Sequence, residues 1–231
     1  MSRIFLTGDT HGDVDHAKLN RKNFVEGREL TKNDYVIVLG DFGTVWYSNE
    51  SNKNQKMIDF YNSKKWTTLF IDGNHENFDE LYKYPVETWN GGKIHRISDS
   101  IIHLMRGQIF NIDNKKFFTM GGASSIDKES RSLGISWWPQ ELPSYAEYEE
   151  ALDNLEKSNY DVDYVLTHCC SSSIQNKLLG NTSIIHDDLN KFFDNVENDL
   201  KFKHWYFGHY HMFKEIDDKH TCLYNEIVEL Y

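Results

Sequence analysis

Three shortages in this 231-residue chain each close off a class of function: few cysteines, too few bases for its acids, and no long apolar run. The three cysteines are odd in number, with Cys169 adjacent to Cys170 and Cys222 distant. They offer neither a disulfide framework nor a C-x-x-C zinc spacing, which suits a reducing compartment. No apolar stretch approaches the roughly 18 residues that cross a bilayer. Strand-like Arg3-Ile4-Phe5-Leu6 begins almost at once, without the charged and apolar segments of a cleaved signal, so a cytoplasmic setting is expected. With 25 basic residues against 36 acidic ones, the formal net charge is -11. Such a surface repels the phosphate backbone on which non-specific nucleic-acid binding depends, and no Lys/Arg stripe marks a duplex groove. Any phosphate must be held locally, by metal or by a small cationic pocket.

What is present is a globular composition, 39% hydrophobic and 26% charged, at a length that suits one domain over residues 1–231. Five short apolar runs rich in Val, Ile and aromatics read as strands buried on both faces: residues 4–7, 35–39, 68–71, 164–167 and 205–207. Helix-like stretches lie between them at 15–28, 54–65, 144–157 and 186–201. The third opens on a Ser144-x-x-Glu147 capping box after Pro143, and the fourth carries an apolar stripe from Leu189 to Leu200. Runs at 94–97, 101–105, 108–112 and 116–120, separated by turn residues, predict an antiparallel meander, and 222–230 a last strand. Strands alternating with helices around that meander predict an α/β sandwich.

Each buried run ends in polar residues. In open α/β sheets, ligands bind beyond the carboxyl ends of the strands. Those ends supply Asp9, His11, Asp41, Asn74, His75, His168, His209 and His211. Carboxylate, imidazole and one amide suit Mn, Fe, Zn or Ni better than Ca or a thiolate zinc site. The set is too large for one ion; two ions sharing a carboxylate use it economically. Gly8, Gly40, Gly73 and Gly208 each precede one of these residues, where close backbone approach favours a residue without Cβ.

The ordered motifs G-D-T-H-G (8–12), G-D (40–41), G-N-H-E (73–76), His168 and G-H-Y-H (208–211) resemble those of the calcineurin-like metallophosphoesterases, across nearly the whole chain. The resemblance implies a four-layer α/β/β/α sandwich, two mixed β-sheets flanked by helices, with a dinuclear site at the strand ends. It implies that Asp9, His11 and His211 bind one ion, that Asn74, His168 and His209 bind the other, and that Asp41 bridges them. His75 takes the place of the family's outer-sphere acid or phosphate contact. Two divalent or trivalent transition-metal ions, manganese first and iron, zinc or nickel next, would support attack of a metal-bound hydroxide on a phosphoester, with His75 stabilising the leaving oxygen.

The phosphoprotein phosphatases of the superfamily have G-D-x-V-D-R-G at the second motif, whereas Gly40-Asp41-Phe42-Gly43-Thr44-Val45-Trp46 has no arginine there. A small phosphodiester, nucleotide or short oligonucleotide is therefore the expected substrate. A phosphomonoesterase, phosphoprotein phosphatases included, is the alternative. A non-catalytic scaffold, the role of a retromer subunit with this fold, is disfavoured by the full ligand set.

The Gly- and Ser-rich stretch 121–131 reads as a solvated turn or as a loop that brings Arg131 or Lys128 to a phosphate, which makes Arg131 a candidate substrate contact. Asp13 is read as a helix cap or as a hydrogen-bond partner of a ligand histidine, and Trp137-Trp138 as packing or as a nucleobase platform. Cys169 and Cys170 are read as packing residues. His16, His95, His103, His186, His204 and His220 fall outside the motifs and read as ordinary histidines.

Overall fold

The structure is a computed structural model that describes residues 1–47, 52–180 and 187–230. In chain order its strands and helices are β1 (Ile4–Thr7), β2 (Tyr35–Leu39), α1 (Asn52–Asn62), β3 (Thr67–Ile71), α2 (Phe78–Leu81), β4 (Val86–Trp89), β5 (Gly92–Ser98), β6 (Ile101–Leu104), β7 (Gln108–Ile112) and β8 (Lys115–Met120). They continue as α3 (Tyr145–Lys157), β9 (Tyr164–Thr167), α4 (Ser172–Leu179), α5 (Asp188–Asp199), β10 (His204–Phe207), β11 (Lys214–Asp217), β12 (His220–Cys222) and β13 (Ile227–Leu230).

Two mixed sheets result. One runs β13-β1-β2-β3-β6-β5-β4 and the other β11-β12-β10-β9-β8-β7. The pleat explains why the central strands read as unbroken apolar runs. Ile4, Leu6, Ile37, Leu39, Leu69 and Ile71 face the second sheet, where Phe117 and Leu166 meet them. The intervening Phe5, Val36, Val38 and Phe70 face an outer core with Tyr61 of α1. The second sheet divides in the same way, since Phe118, Val165, Trp205 and Phe207 pack on Leu155, Ile174 and Phe193 of α3, α4 and α5. Both faces of both sheets are covered, which is the expected four-layer sandwich.

The helix at 144–157 forms with its capping box: Ser144 Oγ accepts from the Glu147 amide while Glu147 accepts from the Ser144 amide. The helix at 54–65 appears as α1, and that at 186–201 as α5, residue 186 lying outside the described residues. The expected helix at 15–28 is corrected to two short 3-10 turns, His16–Leu19 and Glu26–Arg28. Asn20 and Asn23 bond nearby backbone groups there and compete with helical hydrogen bonds. Lys18 is also turned inward, where its ammonium donates to the carbonyls of Gly8, Asp9 and Tyr224.

The expected meander is divided between the sheets. β5 and β6 form a hairpin in the first, with β6 parallel to β3, whereas β7 and β8 form one in the second, with β8 parallel to β9. Residues 222–230 likewise split between β12 in the second sheet and β13 in the first. No helix among the described residues is long and apolar enough to cross a membrane.

Leu166 and Ser144 test the two scales of this stability. Leu166→Ala opens a cavity between the sheets and is expected to cost about 2–5 kcal/mol, against about 1 kcal/mol for Ser144→Ala at a helix cap. Urea unfolding measures both, and a cap loss as large as the core loss would contradict this division.

Candidate metal centre

The parallel strands β1, β2 and β3 of one sheet and β9 and β10 of the other deliver their following loops to one place. The loops are stitched together by backbone bonds, from the Thr10 and His11 amides to Asp41 O and from the Gly208 amide to His168 O. Four residues that follow these strands take left-handed backbone: His11 at φ 44°, Asp41 at 47°, His209 at 68° and His211 at 48°. Each such residue costs about 1–3 kcal/mol unless its surroundings hold it, and such strain gathers at functional sites. Two glycines permit the approach. A Cβ on Gly73 would lie 2.1 Å from Asp41 Oδ1, and one on Gly40, at φ +90°, would lie 2.1 Å from the His168 ring.

Asp9, His11, Asp41 and His211 each offer one donor atom within 4.8 Å of the others. Asp41 sits between two groups: Oδ2 is 3.2 Å from His11 Nε2, and Oδ1 is 3.3 Å from His168 Nε2. His168 Nε2 is also 3.2 Å from Asn74 Oδ1, and the His168 and His209 rings lie 5.0 Å apart. His211 Nε2 is 3.1 Å from Asp9 Oδ2, and its ring stacks on Tyr224. Four of the seven expected ligand residues, Asp9, His11, Asp41 and His211, thus converge beyond the strand ends, and His168 adjoins them through Asp41, with Asn74 and His209 beside it.

These donors fit metal ions. Asp9 and Asp41 are buried, yet their carboxyls stay below the ordinary range. Burial pushes both up, and His211, His168 and His11 outweigh it. Burial likewise opposes protonation of His11 and His168, but the carboxylates raise them to about 9 and about 10. The cluster therefore calls for positive charge. Asp9 Oδ2, though buried, makes no hydrogen bond of good geometry, as a ligand oxygen awaiting a cation would not. Outer contacts fix the donor atoms. Leu39 O lies 2.8 Å from His168 Nδ1, and Asp15 Oδ2 lies 2.7 Å from His11 Nδ1, which leaves each Nε2 facing Asp41. Asn74 donates its amide to Ser125 Oγ, so that its oxygen faces inward.

His75 borders the cluster, with its ring centroid 5.4 Å from that of His11. Its amide donates to Asp41 Oδ1 at 2.7 Å. Burial lowers its pKa, and Arg131 adds to this while Asp41 opposes it. The Arg131 guanidinium lies against the imidazole, with Nη2 3.0 Å from Nε2, and is steadied by Asp127 and by Ser136 O. Arg131, not the exposed Lys128, is the base that the 121–131 loop brings to the cluster.

Other readings resolve differently. Asp13 is exposed, and Asp15 is the partner of His11. Trp138 is buried and donates to Asp79, so it packs and cannot serve as an open platform. Cys169 and Cys170 are free and buried in the outer core, where burial pushes both thiols up. His95 and His103 are core residues, and His186 lies outside the described residues.

Sequence reasoning missed the supports. Glu76, in the G-N-H-E motif itself, accepts from the Phe42 and Gly43 amides and so holds the loop that carries Asp41. Burial and the Asp41 charge push its carboxyl up to about 8. Buried Asp72, beside Gly73, accepts from Arg106 Nε at 2.8 Å, and His103 Nε2 lies 3.1 Å from its other oxygen. Nothing in the local sequence signals these pairs, because Arg106 and His103 come from another strand and its end.

The Asp72–Arg106 pair predicts an acid response. Burial raises the Asp72 carboxyl, but Arg106 and His103 hold it far below the ordinary range. Its contribution is therefore full above about pH 3.9, where the unfolded carboxyl is ionised, and is lost as pH falls toward the folded value. Asp72→Asn, which leaves Arg106 with only the Gln140 carbonyl and Glu147 at 3.8 Å, should cost roughly 3–5 kcal/mol at pH 7. Unfolding curves should show that deficit narrowing below about pH 3.9; a deficit constant down to pH 3 would refute the assignment.

Comparison with known proteins agrees with this geometry. A family model described as calcineurin-like phosphoesterase matches residues 2–213. No curated protein matches the chain. Among solved structures, a Staphylococcus aureus protein named as a 5'-nucleotidase, in complex with alpha-ketoglutarate, shares the fold at a TM-score of 0.50 and 14% identity. The match covers 96% of this chain and 48% of that one, so this chain spans about half its length. The chain belongs to the calcineurin-like phosphoesterase family, whose chemistry is metal-dependent hydrolysis of phosphoesters.

Proposed function

We propose that this protein hydrolyses a small phosphodiester or nucleotide-type phosphoester with two transition-metal ions, manganese first among them. Asp9, His11 and His211 would hold one ion, Asn74, His168 and His209 the other, and Asp41 would contact both. The observation that carries this reading is the divided carboxylate of Asp41, one oxygen toward His11 and the other toward His168. When bound, such ions supply Lewis-acid polarisation of phosphoryl oxygens and a nucleophile at neutral pH.

The chain's own residues do the rest. Arg131 offers a planar fork to the non-bridging phosphoryl oxygens. His75 donates to the departing oxygen, and the Asp41 carboxylate positions it through the His75 amide. Both residues line a cavity of about 470 Å³ that also contains Asp41, Asn74, His209 and His211, a size that suits a small ligand. The name of the S. aureus neighbour keeps nucleotide monoesters as a second reading. The intact donor set disfavours a scaffold.

With manganese supplied, the wild type should hydrolyse bis-p-nitrophenyl phosphate in preference to p-nitrophenyl phosphate; the reverse order would favour the monoesterase. His75→Ala should lower kcat about 10²- to 10⁴-fold with metal content retained. Asp41→Ala should lose bound metal by elemental analysis, and retention of both ions with normal turnover would disprove the ligand assignment.

A further inference from the structure

A second cavity, of about 490 Å³, opens on the other side of His75. His75 lines both cavities, whereas His11 lines only the second and Asp41 only the first. The two differ in charge. Among the described residues, the first includes Asp41, Asp127 and Asp187 with Arg131, whereas the second includes Lys53 and Lys56 with Asp13. In a chain of net charge -11, this gathering of cations beside the reacting centre is a local reversal.

The second cavity also has a prebuilt aromatic wall. Trp46 and Tyr47 line it, and the Asn54 side chain fixes their backbone, accepting from both amides at 3.1 and 2.8 Å and donating to Tyr47 O. Trp46 is further held edge-on against buried Trp138, and Asn77 donates to its carbonyl. The Lys53 ammonium lies 4.4 Å over the Tyr47 ring, and Lys56, three residues on, shares that side of α1.

We infer that this cavity receives the leaving group, and that the leaving group carries a flat ring and its own phosphate, as a nucleoside monophosphate does. The inference rests on the hydrolase reading above and narrows it to a phosphoanhydride or diester with a nucleotide on the departing side. For an anhydride, one water is consumed. Its oxygen bonds to the attacked phosphorus, the anhydride P–O bond breaks, and the electron pair leaves with the second phosphate. The two protons of water pass to the products or to solvent. Lys53 and Lys56 offset the charge that builds on the departing phosphate, and Trp46 offers a face to its base.

Two measurements test this. Calorimetry of adenosine 5'-phosphate with the metal-free protein should show saturable binding. That binding should weaken about tenfold or more in Lys53→Ala/Lys56→Ala and in Trp46→Ala, and stay unchanged in Gln175→Ala, a control in the first cavity. With manganese, kcat/KM on di(adenosine-5') pyrophosphate should fall in the double variant by a similar factor and hold within about twofold in Gln175→Ala. Absence of saturable binding, or binding sensitive to Gln175→Ala and indifferent to the lysines, overturns the assignment. Binding as expected with neither this substrate nor bis-p-nitrophenyl phosphate hydrolysed by the wild type would instead overturn the hydrolase reading and leave the nucleotide cavity standing.

Discussion

Two carboxylates, Asp9 and Asp41, lie buried beside each other in a chain that is already strongly acidic. Burying one unpaired carboxylate costs several kcal/mol, and a neighbouring like charge adds to it. The surroundings answer that cost with imidazoles from four strand ends, with the Lys18 ammonium beneath Gly8 and Asp9, and with amide donors from His75 and His209. The cluster is organised around a demand for positive charge, which these groups answer in part.

Rigidity is the second requirement. The left-handed backbone at His11, Asp41, His209 and His211 is tolerated because neighbouring loops leave no alternative. Gly40 and Gly73 admit His168 and Asp41 where a Cβ would collide. Glu76 and the Asp72–Arg106–His103 network anchor the loops from beneath. These anchors touch no proposed ligand atom, yet without them the donors would not share a centre. The outer cores serve the same end, since strands buried on both faces cannot slide without exposing one face or the other.

His75 stands where the charged centre meets solvent-accessible space, with Arg131 against it and a cavity on either side. Among the described residues the two cavities differ in their balance of charge, with carboxylates lining the first and two lysines the second. That asymmetry is built by segments far apart in sequence: the 121–131 loop on one side, and the end of the β2 loop with the first turn of α1 on the other.

The sequence by itself determined the central strands, the capping box of α3 and the residues that converge beyond the strand ends, because these are local signals: runs of apolar residues, a four-residue cap, and Gly-Asp or Gly-His pairs at strand termini. It misjudged residues 15–28, where Lys18 is drawn into the core by carbonyls that a helical pattern cannot reveal. The strands of the 94–120 segment were legible, but not their division between two sheets, since parallel pairing of β6 with β3 and of β8 with β9 depends on partners distant in the chain. Only the tertiary structure decided that Asp15 and not Asp13 supports His11, that Arg131 meets His75, and that Trp46 with Lys53 and Lys56 walls a second cavity. The physical reason is common to all of these. Periodicity and turn chemistry act over a few residues, whereas a buried charge selects its partners by proximity in space, wherever in the chain they come from.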